Sequence, residues 1–350
     1  MVNFCSDTQT KECDIIYESR FPYSNNASNL FDIITLDSNK FSSSEDVIHN
    51  AKTLLSTHGA VILVHSNLDD LANLHGLCKP FGEQMDYTGG TNHRTDQGKN
   101  ILNVGVEPPF ANVSAHNEMS YSNRYPEIFI IGCKSAPKTG AGTVIYDNKA
   151  ITKAILDTDY GKRLRSLGVR YIRNFHDANN PNAADASMVS WQKVFGTTNQ
   201  NEAIHIAKSI LGGNEICHVK VCENNGLRIS YNAAAFEHDP DLNEDLCFMS
   251  IGNHGYWFRQ WPPYNNVPHI DRPWHMQYGN GDEFSEGDLA VFARISNQYG
   301  YMVEWEAGKI AILNNRRFAH GRPTYHLKEG EKRELGVLLM NPTTRFGQTI

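Results

Sequence analysis

Between Ser114 and Asp147 the chain reads S-A-H-N-E-M-S-Y-S-N-R-Y-P-E-I-F-I-I-G-C-K-S-A-P-K-T-G-A-G-T-V-I-Y-D. Its chemistry requires extended backbone. Residues two apart on a β-strand point to one face, so His116 and Glu118 can reach a single point in space only if the segment is strand. The apolar run from Glu127 to Cys133 that follows has the length of a buried strand. A histidine and a carboxylate two residues apart are nevertheless cheap. With 15 His and 39 Asp plus Glu in 350 residues, about 1.7 such pairs are expected from composition. Two occur, His116-x-Glu118 and His269-x-Asp271, so the pair gains meaning only from what surrounds it.

Composition sets the class. With 40% hydrophobic and 10% aromatic residues the chain can bury a sizeable core. The net charge of −7, with no run of Lys or Arg, leaves no electrostatic footprint for nucleic acid. No window approaches eighteen consecutive apolar residues, and the first residues lack a charged then apolar leader. No membrane partner is expected. Seven scattered cysteines do not form a disulfide framework and read as reduced thiols in a cytoplasmic setting.

Residues 1–43 read as a peripheral N-terminal segment. Ser43-x-x-Asp46 opens a helix that Gly59 stops, Gly59–His65 is a buried strand, and Leu68–Cys78 is a second amphipathic helix. Residues 82–100 form a long polar loop, followed by a strand over 101–105. Asp147 caps a helix to Leu156. The region 157–284 is less regular and reads as an insertion or lid within a single catalytic domain. It holds a helix from Glu202 to Leu211 and short strands at Cys217–Val221 and Leu227–Tyr231. Ser285-x-x-Asp288 caps a last helix, and two strands follow, Gly308–Asn314 and Arg333–Met340.

Those last strands bracket N-N-R-R-F-A-H-G-R-P-T-Y, with His320 just beyond the first strand and Arg333 opening the second. Together with the Ser114–Asp147 stretch, this order and spacing resembles the TauD/TfdA group of iron(II)- and 2-oxoglutarate-dependent dioxygenases, in particular its clavaminate-synthase-like branch, over about residues 55–345. The resemblance implies a double-stranded β-helix, a cupin-like jelly roll that is mainly β with helices flanking one outer face. It implies a facial triad of His116, Glu118 and His320. Two imidazoles and a carboxylate suit Fe(II) and leave three adjacent positions for a keto acid and O2. By the same resemblance Thr143 binds one carboxylate of 2-oxoglutarate and Arg333 the other, through the planar fork that a carboxylate fits. Two positions depart from the family pattern: Asn314 stands for a common Asp, and Ala141 interrupts the usual Gly-Gly.

The implied activity is oxidative decarboxylation of 2-oxoglutarate coupled to hydrogen abstraction from an unactivated C–H bond of a small amino-acid-like substrate. Hydroxylation, desaturation or ring closure would result. An intact Glu118 argues against halogenation, which needs that position emptied. Imidazoles must be neutral to bind metal, so iron affinity should fall below about pH 6. For the substrate, Asn112 and Ser114 share the face of His116 on a regular strand. Arg322 offers a carboxylate partner or a structural arginine, and Tyr121 and Arg124 belong to a lid. The rival pair His269-x-Asp271 sits between Pro268 and Pro273, a poor context for a paired strand. Alternatives from other classes are a kainoid-synthase-like cyclase of a prenylated glutamate, a cupin-type metalloenzyme without a keto acid, and a non-catalytic 2-oxoglutarate sensor.

Overall fold

The computed structural model describes residues 34–66, 68–87, 101–104, 107–138, 140–180, 189–213, 215–251 and 264–345. The strands in chain order are β1 (Ile34–Asp37), β2 (Ala60–Val64), β3 (Leu102–Asn103), β4 (Val113–His116), β5 (Arg124–Ser135), β6 (Thr143–Asp147), β7 (Val169–Phe175), β8 (Cys217–Val221), β9 (Leu227–Ala233), β10 (Phe236–Asp239), β11 (Glu244–Cys247), β12 (Trp274–Tyr278), β13 (Gly300–Val303), β14 (Ile310–Asn314), β15 (Phe318–Arg322) and β16 (Glu334–Thr344). The helices are α1 (Ser44–His58), α2 (Ala72–Cys78), α3 (Asn148–Leu156), α4 (Asp159–Leu167), α5 (Trp191–Phe195), α6 (Gln200–Ile210) and α7 (Glu286–Gln298).

Two sheets make the jelly roll. The larger has the order β1-β2-β14-β5-β16-β3 and the smaller β13-β6-β15-β4. Alternation along the larger sheet divides the core in two. Ile130, Ile312, Leu338 and Met340 join Val47, Ala51, Leu55 and Leu74 of α1 and α2 on its outer face. Phe129, Ile131, Leu313, Val337 and Leu339 point the other way, into the main core with Val144, Ile145 and Ala319 of the smaller sheet. Helices flank the larger sheet through α1 and α2, as the sequence reading expects, but α3 and α7 also lie against strands of the smaller sheet, so they are not confined to one face. Local signals explain their ends: the Ser43 hydroxyl accepts from the Asp46 amide, and Gly59 stops α1 at φ +77°. Asp147 accepts from the amides of Lys149 and Ala150, and Ser285 with Asp288 forms a complete capping box.

Several expectations need correction. The sequence reading left one strand out: a turn at 315–317 returns the chain, and His320, just beyond β14, sits in the middle of its own strand, β15. The strand bearing His116 ends there. Glu118 lies in the turn beyond it, where Met119 takes a left-handed φ of +56°. The second helix begins only at Ala72. The region 157–284 is more regular than its sequence suggests, since it builds a third sheet, β12-β7-β9-β8, and a β10–β11 hairpin. Gly105, the loop stretch 88–100 and residues 252–263 of the Pro- and aromatic-rich loops lie outside the described residues. Among the described residues Cys78, Cys133, Cys217, Cys222 and Cys247 are free thiols, and no helix is long and apolar enough to cross a membrane.

Candidate metal centre and its two cavities

β4 and β15 pair antiparallel with His116 directly opposite His320. Opposed residues share a face of the sheet, so the two rings lie with centroids 4.2 Å apart. The turn after β4 brings Glu118 back to them, its Oε2 3.7 Å from His320 Nε2. One ligand atom from each of the three lies within 4.8 Å of the others. Glu118 and His320 are buried and His116 half-buried.

Neighbouring groups fix the tautomer of His116 and the placement of the other two donors. His116 Nδ1 lies 2.9 Å from the carbonyl of Ser114. That oxygen can only accept, so Nδ1 carries the proton and the Nε2 lone pair is left for a ligand. Phe129 stacks on the His320 ring at 4.1 Å. Asn315, fully buried, accepts from the Glu118 amide (2.9 Å) and donates to the carbonyls of Glu118 (3.0 Å) and Pro126 (2.9 Å). Asn117 donates to the Asn315 carbonyl at 2.6 Å and accepts from the Met249 amide at 3.1 Å. The turn that carries Glu118 is thus held from both sides.

His116 is part of the lining of two cavities. One, of about 270 Å³, is also lined by Thr143, His320, Arg322, Tyr325 and Arg333. Trp305 Nε1 donates to the Thr143 hydroxyl at 2.9 Å, so that hydroxyl keeps its own proton to donate. Arg333 Nε donates to the Ala141 carbonyl at 2.9 Å, which fixes the guanidinium by one edge and keeps its terminal nitrogens for an anion. Burial, then the charge of Arg322, lowers the Arg333 pKa to about 10. Burial lowers that of Arg322 as well. Both remain cations at neutral pH. Two guanidinium groups and one carboxylate, that of Glu107, face the cavity, a net positive lining that favours an anion there.

Ala141, where the family pattern has glycine, adopts a left-handed φ of +58°, the backbone state that glycine takes without strain. Asn314 departs without effect on the turn, because its Oδ1 accepts from the amides of Arg316 and Arg317 as an aspartate oxygen would.

The second cavity is narrower and is lined by His116, Glu118, Tyr121, Tyr171, Arg173 and Trp274, among others. Of the candidate substrate residues, Tyr121 lines it. Its hydroxyl is 3.3 Å from that of Tyr87. Arg322 lies instead in the first cavity and donates to the carbonyls of Glu107, Pro108 and Ala111. Asn112, Ser114 and Arg124 are outside the lining of both cavities among the described residues. Ser114 serves through its carbonyl, and Arg124 is exposed at the start of β5. Sequence reasoning missed Asn315, Trp305 and Arg173. For Asn315 a signal existed, a polar N-N-R-R between two apolar runs.

The rival pair is split. Asp271 forms an ion pair with Arg228. His269 instead approaches His275, ring centroids 5.8 Å apart, and these two with Glu283 form a second set of possible donors. Glu283 is exposed there and bound to His275 at 2.9 Å and to Gln277 at 2.5 Å.

Residues 24–339 match the family described as Taurine catabolism dioxygenase TauD, TfdA family. The chain belongs to the TauD/TfdA family. TauD/TfdA enzymes are dioxygenases that use Fe(II), with 2-oxoglutarate and O2 as co-substrates. No curated protein sequence matches the chain significantly. Among solved structures, a putative alpha-ketoglutarate-dependent taurine dioxygenase from Burkholderia xenovorans is similar, at 13% identity and a TM-score of 0.49, over 91% of this chain and 90% of that one. PvcB from Pseudomonas aeruginosa is 15% identical, with a TM-score of 0.48, over 87% of this chain and 84% of its own. The TauD/TfdA assignment rests on the family match alone.

Proposed function

We propose that the chain is an oxygenase that removes hydrogen from an unactivated C–H bond of a small amino-acid-derived substrate, giving hydroxylation, desaturation or ring closure. The observation that carries this reading is the convergence of His116, Glu118 and His320 between two cavities, of which His116 lines both, Glu118 one, and His320 the other, which also holds two arginines. His116, Glu118 and His320 would hold Fe(II), and the donor set fits it: two imidazoles and one carboxylate grouped on one side. The bound metal supplies the activation of O2 at the expense of the keto acid.

The protein's part is positioning. Arg333 clamps the distal carboxylate of 2-oxoglutarate, and the Thr143 hydroxyl, oriented by Trp305, donates to the same molecule. Phe129 and Val337 keep the other walls of that cavity apolar. A glutamate at position 118 supports placement in the clavaminate-synthase-like branch.

Anaerobic titration with Fe(II) and 2-oxoglutarate tests the reading. A metal-to-ligand charge-transfer band is expected in the wild type, absent in His116→Ala and weakened in Arg333→Ala. A band that persists without His116 would remove the triad and make His269, His275 and Glu283 the donors to test. Release of succinate with substrate under air separates an enzyme from a 2-oxoglutarate sensor.

A further inference from the structure

The residue that follows β16 is an arginine whose side chain turns into the protein. Arg345 is only 6% exposed, and it lies outside residues 24–339, the span that matches the family. Its amide donates to the Asn123 carbonyl at 3.0 Å. The charge of its guanidinium is met at 3.8 Å by the carboxylate of Glu237, which is buried and also accepts from the Tyr125 hydroxyl at 3.2 Å. The fork then spans three carbonyls. Nη2 donates to Ser120 at 2.5 Å and to Phe248 at 3.2 Å, and Nη1 donates to Ala234 at 2.8 Å.

These carbonyls belong to two pieces of structure. Ala234 precedes β10 and Phe248 follows β11, so two of them sit at the base of that hairpin, where the Phe248 amide donates to Ala235 at 2.9 Å. Ser120 lies in the turn after β4, two residues beyond Glu118. The hairpin base also grips the other side of Glu118. The Asn117 amide donates to the Met249 carbonyl, and the Met249 amide to the Asn117 side chain, both at 3.1 Å. Asn117, Met249, Phe248, Arg345 and Ser120 thus close a ring of contacts around Glu118 and Met119. Bonds from a charged donor are roughly twice as strong as neutral ones, so the arginine is the strongest link in that ring.

We infer that Arg345 is a positioning residue for the carboxylate ligand: it fastens the β10–β11 hairpin to the turn that carries Glu118 and so sets metal affinity from outside the site. This rests on the oxygenase reading above. Among the described residues Arg345 is outside the lining of both cavities. Asn315 holds the same turn from the β14–β15 connection, and Arg345 holds it from the hairpin. A planar fork with five N–H groups can reach three carbonyls at once, whereas a lysine ammonium is a single point of charge.

The test is anaerobic Fe(II) titration at saturating 2-oxoglutarate, reading the charge-transfer band, with a urea midpoint for each protein. Arg345→Gln should bind Fe(II) roughly 10- to 100-fold more weakly than the wild type, while 2-oxoglutarate affinity at saturating iron stays within about twofold. Arg345→Lys keeps the charge beside Glu237 without the fork and should fall between the two. Arg170→Gln is the control. Arg170 donates to Asn232 at 3.0 Å and to the Gly279 carbonyl at 2.6 Å in and beside the third sheet, so its loss should lower the urea midpoint and leave iron affinity within about twofold.

Wild-type iron affinity in a folded Arg345→Gln overturns the proposal, as does an equal loss in Arg170→Gln, which would make the effect one of general stability. If Arg345→Gln does not fold, Arg345→Lys decides, and wild-type affinity there overturns it. Failure of both to fold overturns it too, since Arg345 would then serve folding alone. Absence of the band in the wild type is a different failure, which removes the oxygenase reading and this inference with it.

Discussion

Asn315 does more to set the position of Glu118 than the strand that leads to it. β4 has ended, Met119 has turned to positive φ, and three hydrogen bonds from one fully buried amide hold the turn in place. Replacing Asn315 by alanine leaves the Glu118 amide and two carbonyls short of partners. It should therefore cost roughly 1–3 kcal/mol of stability, and, because carboxylate placement is lost, roughly 10- to 100-fold in Fe(II) affinity. Paired urea denaturation and metal titration read both, and a variant with normal metal affinity would show that the turn holds itself. His116, Glu118, His320, Thr143 and Arg333 could be picked out as a candidate set, and the fold brings them together, because order and spacing are one-dimensional properties. Asn315, Trp305 and Arg173 act through contacts across the fold, and for those a sequence has no ruler.

At the scale of elements, the β4–β15 ladder is the part of the jelly roll on which the site depends most closely. A Cβ at Gly321 would lie 2.6 Å from the Val113 carbonyl oxygen and 3.1 Å from the Ser114 carbonyl. Gly321→Ala should therefore push the two strands apart beside the opposed histidines and weaken Fe(II) binding by roughly tenfold or more. Gly76→Ala is the control, because nothing lies within 4 Å of its Cβ. Equal metal affinity in the two variants would contradict the ladder's role. The strands β5, β14 and β16 were legible because both of their faces are buried and they read as near-continuous apolar runs. β7 was not, since V-R-Y-I-R-N-F breaks its apolar phase at Arg173. That interruption hid the strand. β15 was obscured by the same chemistry, for F-A-H-G-R carries a histidine and an arginine where a core strand is expected to be apolar.

Across the whole molecule, buried ion pairs tie the β10–β11 hairpin and its surroundings to the jelly roll. Asp239, fully buried, accepts from Arg317 Nε at 3.0 Å, and Arg317 also reaches Asp241 at 2.9 Å. Arg316 reaches Glu127 at 2.6 Å, and Arg345 donates to the carbonyls of Ala234, Ser120 and Phe248. Burial alone would raise the Asp239 pKa, but the hydrogen bonds from Arg317 and the Leu242 amide, with the two arginine charges, hold it below the usual range. A carboxyl lowered in this way contributes its stability in full above about pH 4 and loses it as pH falls through the folded value. Asp239→Asn should cost roughly 3–5 kcal/mol at neutral pH, and the gap to wild type should narrow below about pH 4. Denaturation curves at pH 7 and pH 3.5 check both statements, and a gap independent of pH would remove the charge from the account.

The pairing of β4 with β15 also bears on how the protein comes into being. A ribosome releases His116 and Glu118 about 200 residues before His320, and β15 and β16 close ladders with β3, β4, β5 and β6 only after that. Contacts so distant along the chain form late in folding. A nascent or truncated chain lacking β14–β16 therefore holds no partial version of the centre, and the reactive part of the enzyme exists only once the fold around it is finished.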